Sequence, residues 1–472
     1  MKRAPRFTSC LRRQRQWRRH GSVLIIVLVV CLGLVSMTLV FSHAMLLSYR
    51  GADNEIAGRQ AEAAIQGAEQ YAETIIAQSQ TANVLPDRTT YQNAAVPLGD
   101  AFFWFIGKPL ASDPPNLPAF ALVDEASKLN VNALYTSPIA QLPNMTTDLA
   151  QAIHDWHITP GSGGTSGVQL NPVKGSPFES PEELSLVDGG IDPSVLYGDD
   201  ANLNHCLDPE EGSGTGGGAL GQFNPGLLEY VTTFSREPNT LSDGTKRGNV
   251  LLGFANNNAG LLTALTAALG SGPAEAIRQK FPRGPNGRAA TFTSVMDFCS
   301  RAGLTTDQWD KVAPYLTMNN GRYITGLVNV NTASVTVLSC LPSMNEDLAA
   351  QIVAARATQA TPSTNLQWVA PILGQNKAAA RWMTTRSYQF SADIAAVGRN
   401  GRGYRRTLFV IDYSAMPITG ATTPQIVYRR NLSNLGWALG SDARATLPTA
   451  ANIAAGTAKA GTTPTPKGSV TP

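Results

Sequence analysis

The sequence lacks the motifs that would point to catalysis or to nucleic-acid binding. It contains no His-Glu-x-x-His zinc motif, no Gly-x-Ser-x-Gly nucleophile motif and no phosphate-binding P-loop motif. Charged residues make up only 15% of the chain. Eight of the 37 lysines and arginines precede Gly21, and the 29 that remain are outnumbered by 34 acidic residues. We therefore predict a protein that is not an enzyme, with a body whose net negative charge gives no electrostatic reason to bind nucleic acid.

Cysteine is also scarce. Cys10 and Cys31 lie near the N-terminus, so the body of the chain has only Cys206, Cys299 and Cys340. Three cysteines allow at most one internal disulfide, and the sequence does not indicate which two would pair. An oxidising compartment is therefore permitted but not required.

The N-terminal region combines a basic leader, residues 1–21, with an apolar run. No side chain from Ser22 to Tyr49 carries a formal charge. About 20 apolar residues span a bilayer as a helix, whereas the apolar core of a secretory signal has about 7–15. We predict a transmembrane helix over residues 22–49, with the N-terminus in the cytoplasm and the body outside the inner membrane, since the basic residues precede the span. The alternative is ordinary secretion with cleavage after Ser42-His43-Ala44.

Helical character continues beyond this span, over residues 50–80. The apolar residues Ile56, Ala64, Ala68, Tyr71 and Ile75 recur at helical spacing and predict one buried face. Because no proline precedes Pro86, a continuous helix from Ser22 to about Gln78 is expected, roughly 85 Å long at ~1.5 Å per residue.

The body is predicted to have an α+β fold. Residues 81–136 begin an α/β domain with two short strands in "AFALVDEASKLNVNAL", and residues 137–322 form an inserted helical domain with helices over 227–236, 261–269 and 296–316. Residues 323–386 hold a second Asn-Val-Asn strand and a helix-hairpin-helix-like segment. Residues 387–440 are expected to form antiparallel strands, and residues 441–472, rich in Ala, Thr, Gly and Pro, a disordered tail.

One segment, "DDANLNHCLDPEE", has the ligand spacing of a calcium loop. Oxygen-bearing side chains fall at loop positions one, three, five, nine and twelve, and position seven would offer a backbone carbonyl; the residues are Asp200, Asn202, Asn204, Asp208, Glu211 and, at position seven, Cys206. Position six, where the backbone turns sharply and glycine is usual, is His205. The spacing predicts a structural calcium site, and the alternative is a polar loop that binds no metal.

The N-terminal pattern resembles that of type IV pilins and pseudopilins. The resemblance implies that a prepilin peptidase cuts between Gly21 and Ser22 and that the apolar helices then pack into a fibre. Most members have a glutamate as the fifth residue of the mature chain, where this chain has Ile26. The family of general secretion pathway protein K (GspK), the large minor pseudopilin of type II secretion, lacks that glutamate. "DEASKLNVNAL", "SPFESPEELSLV" and "VNVNTASVTVLSCLP" also resemble phrases of that family.

This resemblance implies a pilin-like antiparallel sheet domain with a SAM-like, helix-hairpin-helix-like insert, a place at the tip of the pseudopilus and a role in protein export. It implies as partners the other minor pseudopilins and type II secretion components, the prepilin peptidase, membrane lipid and exported proteins, and calcium binding in the family supports the loop. The alternatives are a helix-hairpin-helix DNA-binding protein, anchored or secreted, and an anchored calcium-binding adhesin. Nucleic acid is not expected, because the hairpin Leu341–Asn345 has no glycine.

Overall fold

The computed structural model describes residues 20–79, 83–110, 113–114, 117–133, 136–157, 173–208, 211, 223–241, 243–251, 253–254, 259–282, 289–359, 362–415 and 423–447. Its first element is one uninterrupted 60-residue helix, α1, from His20–Ser79. At ~1.5 Å per residue this helix is about 90 Å long, which confirms the continuous helix expected from the sequence. Side chains 23–52 are exposed, and α1 is, among the described residues, the helix with the length and apolarity needed to cross a membrane.

The second half of α1 packs on a sheet through a line of small and branched residues. Its buried positions are Ala57, Ala61, Ala64, Ile65, Ala68, Ala72, Ile75 and Ile76. The expected face is correct at Ala64, Ala68 and Ile75 and, partly buried, at Tyr71. The inclusion of Ile56 was wrong, because this side chain is 46% exposed. Ala57 takes its place. Gly398, far away in the sequence, packs closely at this position: a Cβ added to it would lie 2.1 Å from the carbonyl oxygen of Ala57.

The sheet is antiparallel and contains seven strands. Its main path runs β1-β2-β13-β14-β15; β3 also pairs with β2, and β4 pairs with β13. The strands are β1 Val96–Leu98, β2 Ala101–Gly107, β3 Ala119–Phe120, β4 Val123–Asp124, β13 Gln389–Gly398, β14 Arg402–Asp412 and β15 Gln425–Asn431. The antiparallel strands predicted within 387–440 are therefore confirmed.

The two faces of the sheet cover different parts of the molecule, as the two-residue period of a strand requires. Phe103, Phe105 and Ile394 face α1 and share its core. Phe102 and Trp104 share a smaller core on the other face with the C-terminal segment around Leu439. This C-terminal segment forms helix α12, Gly440–Thr446. The expectation of a tail from residue 441 was therefore wrong for its first residues, and residues 448–472 lie outside the described residues.

Between β4 and β13 the chain leaves the sheet and builds a helical insert. Its helices are α2 Thr136–Ala140, α3 Thr147–Trp156, α4 Pro193–Leu196, α5 Ala259–Leu269, α6 Ser271–Gln279, α7 Val295–Ala302, α8 Thr306–Val312, α9 Val335–Ser339, α10 Glu346–Ala357 and α11 Ala370–Leu373. Its short strands are β5 Leu129–Asn130, β6 Val231–Thr232, β7 Arg236–Pro238, β8 Gly248–Asn249, β9 Leu316–Thr317, β10 Tyr323–Thr325, β11 Val328–Asn329 and β12 Met383–Thr384. Short 3₁₀ helices occur at Glu125–Ser127, Pro181–Gly189, Leu227–Glu229, Ala313–Tyr315, Gln367–Val369, Lys377–Trp382, Arg399–Gly401 and Ser433–Leu435.

Two of the expected boundaries do not match this insert. One hydrophobic core extends from Leu129 to Met383, so there is no break at 136/137 or at 322/323. The helix expected over 227–236 was also wrong. That segment holds one 3₁₀ turn and strand β6, because the β-branched pair Val231-Thr232 finds a parallel partner in β5, about 100 residues earlier in the chain. The helices expected over 261–269 and within 296–316 are confirmed, the latter as α7 and α8.

The insert is assembled from three related units. Each is closed by a parallel strand pair: β5 with β6, β8 with β9, and β11 with β12. The first strand of each pair ends at an asparagine whose side-chain oxygen accepts the amide two residues later, at Asn130, Asn249 and Asn329. The second strand ends at a threonine whose hydroxyl accepts the amide two residues later, at Thr232, Thr317 and Thr384. The same hydrogen bonds therefore close all three units.

Candidate metal-binding loop and processing site

The predicted calcium segment is a folded loop between α4 and β6. The carboxylate of Asp200 accepts the backbone amides of Asn204 at 2.9 Å and His205 at 2.8 Å. The side-chain oxygen of Asn204 in turn accepts the amide of Cys206 at 3.0 Å. These bonds wrap the first half of the loop around the Asp200 carboxylate.

The second half of the loop closes on the first through Glu211 and Asp208. The Glu211 carboxylate accepts the amides of Asn202 and Asp208, each at 3.1 Å. Asp208 accepts the side-chain amides of Asn202 at 2.7 Å and Asn204 at 2.9 Å. The structure thus brings together the five side chains that the sequence singled out.

His205 occupies the position where a calcium loop usually needs glycine. Its φ of +65° lies in the left-handed region, as expected, and Leu203 at +57° was not foreseen. The ring Nδ1 of His205 lies 2.6 Å from a carboxylate oxygen of Glu229, whose other oxygen lies 2.9 Å from the Lys108 ammonium. These contacts hold the imidazole in place and offset the cost of the left-handed backbone.

Burial shifts the pKa of several groups in the loop. It raises the pKa of Asp200 and, less completely buried, of Glu211. It also raises the pKa of the Cys206 thiol to about 12, and three nearby carboxylates add to the effect. The thiol therefore stays protonated and donates to the Asn204 oxygen at 3.1 Å. Cys206 can offer a metal ion only its backbone carbonyl.

The donor set suits a hard cation, because it consists of oxygen atoms. The loop itself supplies three carboxylates and two side-chain amides. The side-chain oxygen of Asn202 is buried without a hydrogen-bond partner. Within the described ranges, no three His, Cys, Asp or Glu side chains lie close enough together to hold a metal ion. An ion at this loop would therefore depend on the amide and backbone oxygens as well as on Asp200, Asp208 and Glu211.

Arg406, which the sequence did not point to, joins this loop to the sheet. Its fully buried guanidinium pairs with Asp393 of the neighbouring strand, with Nη2 at 2.6 Å from the carboxylate. It also donates to the backbone carbonyls of Asn202 and, at 2.6 Å, Leu203. An arginine in a strand gives no sequence signal of such a role, since its loop partners lie about 200 residues earlier.

The predicted processing site lies at the beginning of α1. Gly21 and Ser22 belong to its first turn, and residues 1–19 of the leader lie outside the described residues. Ile26 follows one turn later and is 62% exposed. The sequence from Ser22 to Tyr49 contains no acidic side chain that could pair with the new amino terminus that cleavage would create.

The helix-hairpin-helix-like segment is formed by α9 and α10. Ser343 takes the left-handed conformation that glycine would otherwise supply, with a φ of +65°. Helix α10 begins with Glu346 and Asp347. These carboxylates stand at the helix end where a phosphate would have to bind, so their charge opposes that contact.

Comparison with known proteins gives little that bears on function. No family model matches the sequence, and no curated protein matches it. Among solved structures the chain is similar to a chain from the crystal structure of the GspK-GspI-GspJ complex of the enterotoxigenic Escherichia coli type 2 secretion system. The identity is 10% and the TM-score 0.35, over 79% of this chain and 98% of that chain. Five solved chains match in all.

Proposed function

We propose that the chain is a minor pseudopilin of the K type, anchored in the inner membrane, that helps to assemble a type II secretion pseudopilus. The single observation that carries this proposal is the continuity of α1. Its first half is apolar and exposed, and its second half is the packing partner of an antiparallel sheet. A helix built in this way suits a subunit that leaves the membrane with its helix inside a fibre and its body outside. Such a subunit binds partners and catalyses no reaction.

We place this subunit at the tip of the fibre. In pilin-like fibres, a glutamate near the helix start is thought to neutralise the amino terminus of an adjacent subunit. A charge left unpaired near the membrane centre costs at least ~2.5 kcal/mol. A subunit with no neighbour beyond it has no amine to pair, so the apolar Ile26 removes a penalty without losing a contact. The insert between β4 and β13 is also too bulky to repeat at every step of a shaft.

Cleavage between Gly21 and Ser22 by a prepilin peptidase is the first test of the proposal. When the chain is co-expressed with a prepilin peptidase, N-terminal sequencing should begin at Ser22. Gly21→Leu should block this cleavage, because the peptidase needs an unhindered backbone at the membrane face. Gly33→Leu is the matched control in the same helix, where an added Cβ meets nothing within 4 Å. A mature chain that begins at Met45 would instead identify ordinary secretion and refute the proposal.

Position in the fibre needs a separate experiment. Immunogold labelling of surface-extended pseudopili should place label at the end furthest from the membrane, and deletion of the gene should impair secretion. Regular labelling along the shaft would contradict the tip assignment while leaving a pseudopilin role intact.

We further propose that Asp200, Asn202, Asn204, Asp208 and Glu211, with the Cys206 carbonyl, hold a structural calcium ion. The cation would neutralise carboxylates that burial otherwise makes costly to ionise. Calcium at 100 times its dissociation constant should stabilise the protein by about 2.7 kcal/mol, measured as a rise in melting temperature. Asp200→Ala should remove most of this rise, whereas Asp243→Ala, at an exposed loop position, should preserve it. A melting temperature that millimolar calcium leaves unchanged would refute the site.

A further inference from the structure

The turn between β13 and β14 contacts α1 a few residues beyond the C-terminal end of its apolar run. Arg399 and Arg402 both pair with Asp53 of α1, with Arg402 Nη1 at 2.7 Å from the carboxylate. The approach is close: a Cβ added at Gly398 would lie 2.1 Å from the Ala57 carbonyl oxygen. The position of this turn along α1 is therefore fixed by backbone contact as well as by charge.

This turn and the helix beside it form a patch that we call the arginine collar, consisting of Arg50, Arg399, Arg402 and Arg405. Arg50 lies three residues before Asp53 and so on the same side of α1. The Arg405 guanidinium lies over Gly58, since a Cβ there would be 2.9 Å from its Nη2. Arg50, Arg402 and Arg405 are exposed, and Arg399 is partly exposed.

The charges of the collar are not balanced. On the adjoining turns of α1 the acidic residues are Asp53, Glu55 and Glu62, and Glu55 is paired with Arg59 at 2.6 Å. Asp53 pairs with Arg399 and Arg402, and Glu62 lies one turn beyond Gly58. Counting both carboxylates against the four collar arginines leaves a surplus of about two positive charges. The hydrogen bond from Arg399 holds the pKa of Asp53 below its usual value, so this one carboxylate is already ionised and engaged.

The level of the collar relative to a membrane follows from the helix. The uncharged run ends at Tyr49, an aromatic residue of the kind enriched at membrane interfaces, and Asp53 lies about 6 Å further along the axis at ~1.5 Å per residue. The polar headgroup layer on each side of a bilayer is roughly 5–8 Å thick. The guanidinium groups of Arg399 and Arg402, which pair with Asp53, thus lie near the level of the lipid phosphates, and Arg405, over Gly58, lies about 8 Å further from the membrane at ~1.5 Å per residue.

We propose that the arginine collar binds the phosphate groups of anionic phospholipids in the leaflet that faces the body. Guanidinium groups pair readily with phosphate oxygens in two-bond geometry. The proposal depends on the membrane anchoring in the proposed function, but not on pseudopilus assembly. Its consequence is that the body is held at a defined height and rotation on the membrane before the subunit is taken into a fibre.

The experiment uses the full chain in lipid nanodiscs and measures which lipid surrounds the collar. Ala52→Cys, exposed on α1 beside the collar, carries a bimane fluorophore. Cys31→Ala removes an exposed thiol, Cys10→Ser removes the thiol of the leader, and Cys206, Cys299 and Cys340 are buried. The nanodiscs contain phosphatidylcholine and phosphatidylglycerol, and in matched samples one or the other is brominated near the top of its acyl chains. The ratio of quenching reports local enrichment of the anionic lipid.

We expect bimane to be quenched more by brominated phosphatidylglycerol than by its neutral counterpart at equal mole fraction. Replacing Arg399, Arg402 and Arg405 together with Gln should lower this enrichment at least fivefold, the effect of one arginine at an anionic surface. Asp53→Asn should increase it, because this variant keeps every arginine and removes the opposing charge. That variant keeps the proposal testable even when the triple variant fails to fold.

The matched control replaces three exposed arginines of the insert, Arg278, Arg322 and Arg381, with Gln, and should leave the enrichment unchanged. Equal quenching by both lipids in the native chain, or enrichment that survives the collar substitutions, would overturn the proposal. Loss of enrichment on adding inorganic phosphate at constant ionic strength would assign the collar to free phosphate instead of lipid. A chain that does not insert into nanodiscs at all would remove the anchoring premise and with it this proposal.

Discussion

We expect Arg406, which joins the loop of the insert to the sheet, to contribute strongly to the free energy of unfolding. In Arg406→Met the buried Asp393 carboxylate loses its partner, and the carbonyls of Asn202 and Leu203 lose their donor. Breaking a buried ion pair from one side costs about 3–5 kcal/mol, and each buried acceptor left unpaired adds about 1 kcal/mol or more. With two such acceptors, the free energy of unfolding in urea should therefore fall by about 5–7 kcal/mol.

Two further variants separate the ion pair from general damage to the interface. Arg430→Met removes a second arginine that joins sheet and insert, through Glu182, but both partners are about a quarter exposed. Its cost should stay near 1 kcal/mol or below, because solvent screens that pair. In the double variant Arg406→Met with Asp393→Leu no charge is left buried, so part of the stability should return.

Hydrogen exchange provides the local readout for the same variants. In Arg406→Met the amides of Asn204 and Cys206, which bond within the loop, should lose protection, while α1 should keep it. The reasoning is refuted if Arg406→Met costs no more than Arg430→Met, or if the double variant is as unstable as the single one.

Two other changes follow from the packing and the charges of the body. Gly398→Ala places a methyl group 2.1 Å from the Ala57 carbonyl oxygen and should lower the free energy of unfolding in urea by about 3 kcal/mol. Gly260→Ala, in α5, adds a Cβ with nothing within 4 Å and should raise the free energy of unfolding by up to about 1 kcal/mol. Equal effects of the two variants would contradict the close packing at Gly398. Burial alone would raise the pKa of Glu229, but the charge of Lys108 holds it below the unfolded value of 4.5. Its ionised form thus contributes stability above about pH 4.5 that is lost as the pH falls below that value, so Glu229→Gln should show a shallower acid-induced loss of stability than the native chain. An identical acid profile for both would show that Glu229 is not the responsible group.

The features that the sequence predicted well are those set by neighbouring residues. The apolar run, the absence of proline before Pro86 and the helical spacing of Ala64, Ala68 and Ile75 were sufficient for α1. The loop from Asp200 to Glu211 could be singled out because all of its candidate oxygen donors lie within twelve positions, and its binding of calcium stays a prediction. The left-handed backbone at His205 followed from the same spacing, since any loop of that type must turn sharply there.

What the sequence did not predict depends on partners far away in the chain. The exchange of Ile56 for Ala57 on the buried face of α1 reflects contact with Gly398, more than 300 residues later. The segment 227–236 begins with the helix-favouring residues Leu227-Leu228-Glu229, and the pairing of Val231-Thr232 with Leu129–Asn130 makes the part that follows a strand. Arg406 likewise has no local partner that would distinguish it from the neighbouring arginine.

The sequence revealed the repeated unit of the insert in only two of its three copies. Two Asn-Val-Asn phrases mark the first and third units, but the second begins with Asn249-Val250-Leu251 and shares only the first asparagine and valine. The structure relates the three through one hydrogen bond, in which the asparagine side-chain oxygen accepts the backbone amide two residues later; in the second unit Leu251 donates that amide. A pattern of one residue type is too short to recognise in sequence until its geometry is known.

The insert leaves the sheet after Asp124 and returns next to it, because Asp124 pairs with Phe390 across β4 and β13. Tension applied along α1 therefore passes to β2, β13 and β14, which pack on that helix, without crossing the insert on its way through the sheet. Because the chain enters and leaves the insert at paired residues of β4 and β13, the insert does not lie on the path of force through the sheet. A force along α1 would therefore move the insert without loading it, and the mechanical strength of the body would be set by the shear resistance of β2, β13 and β14.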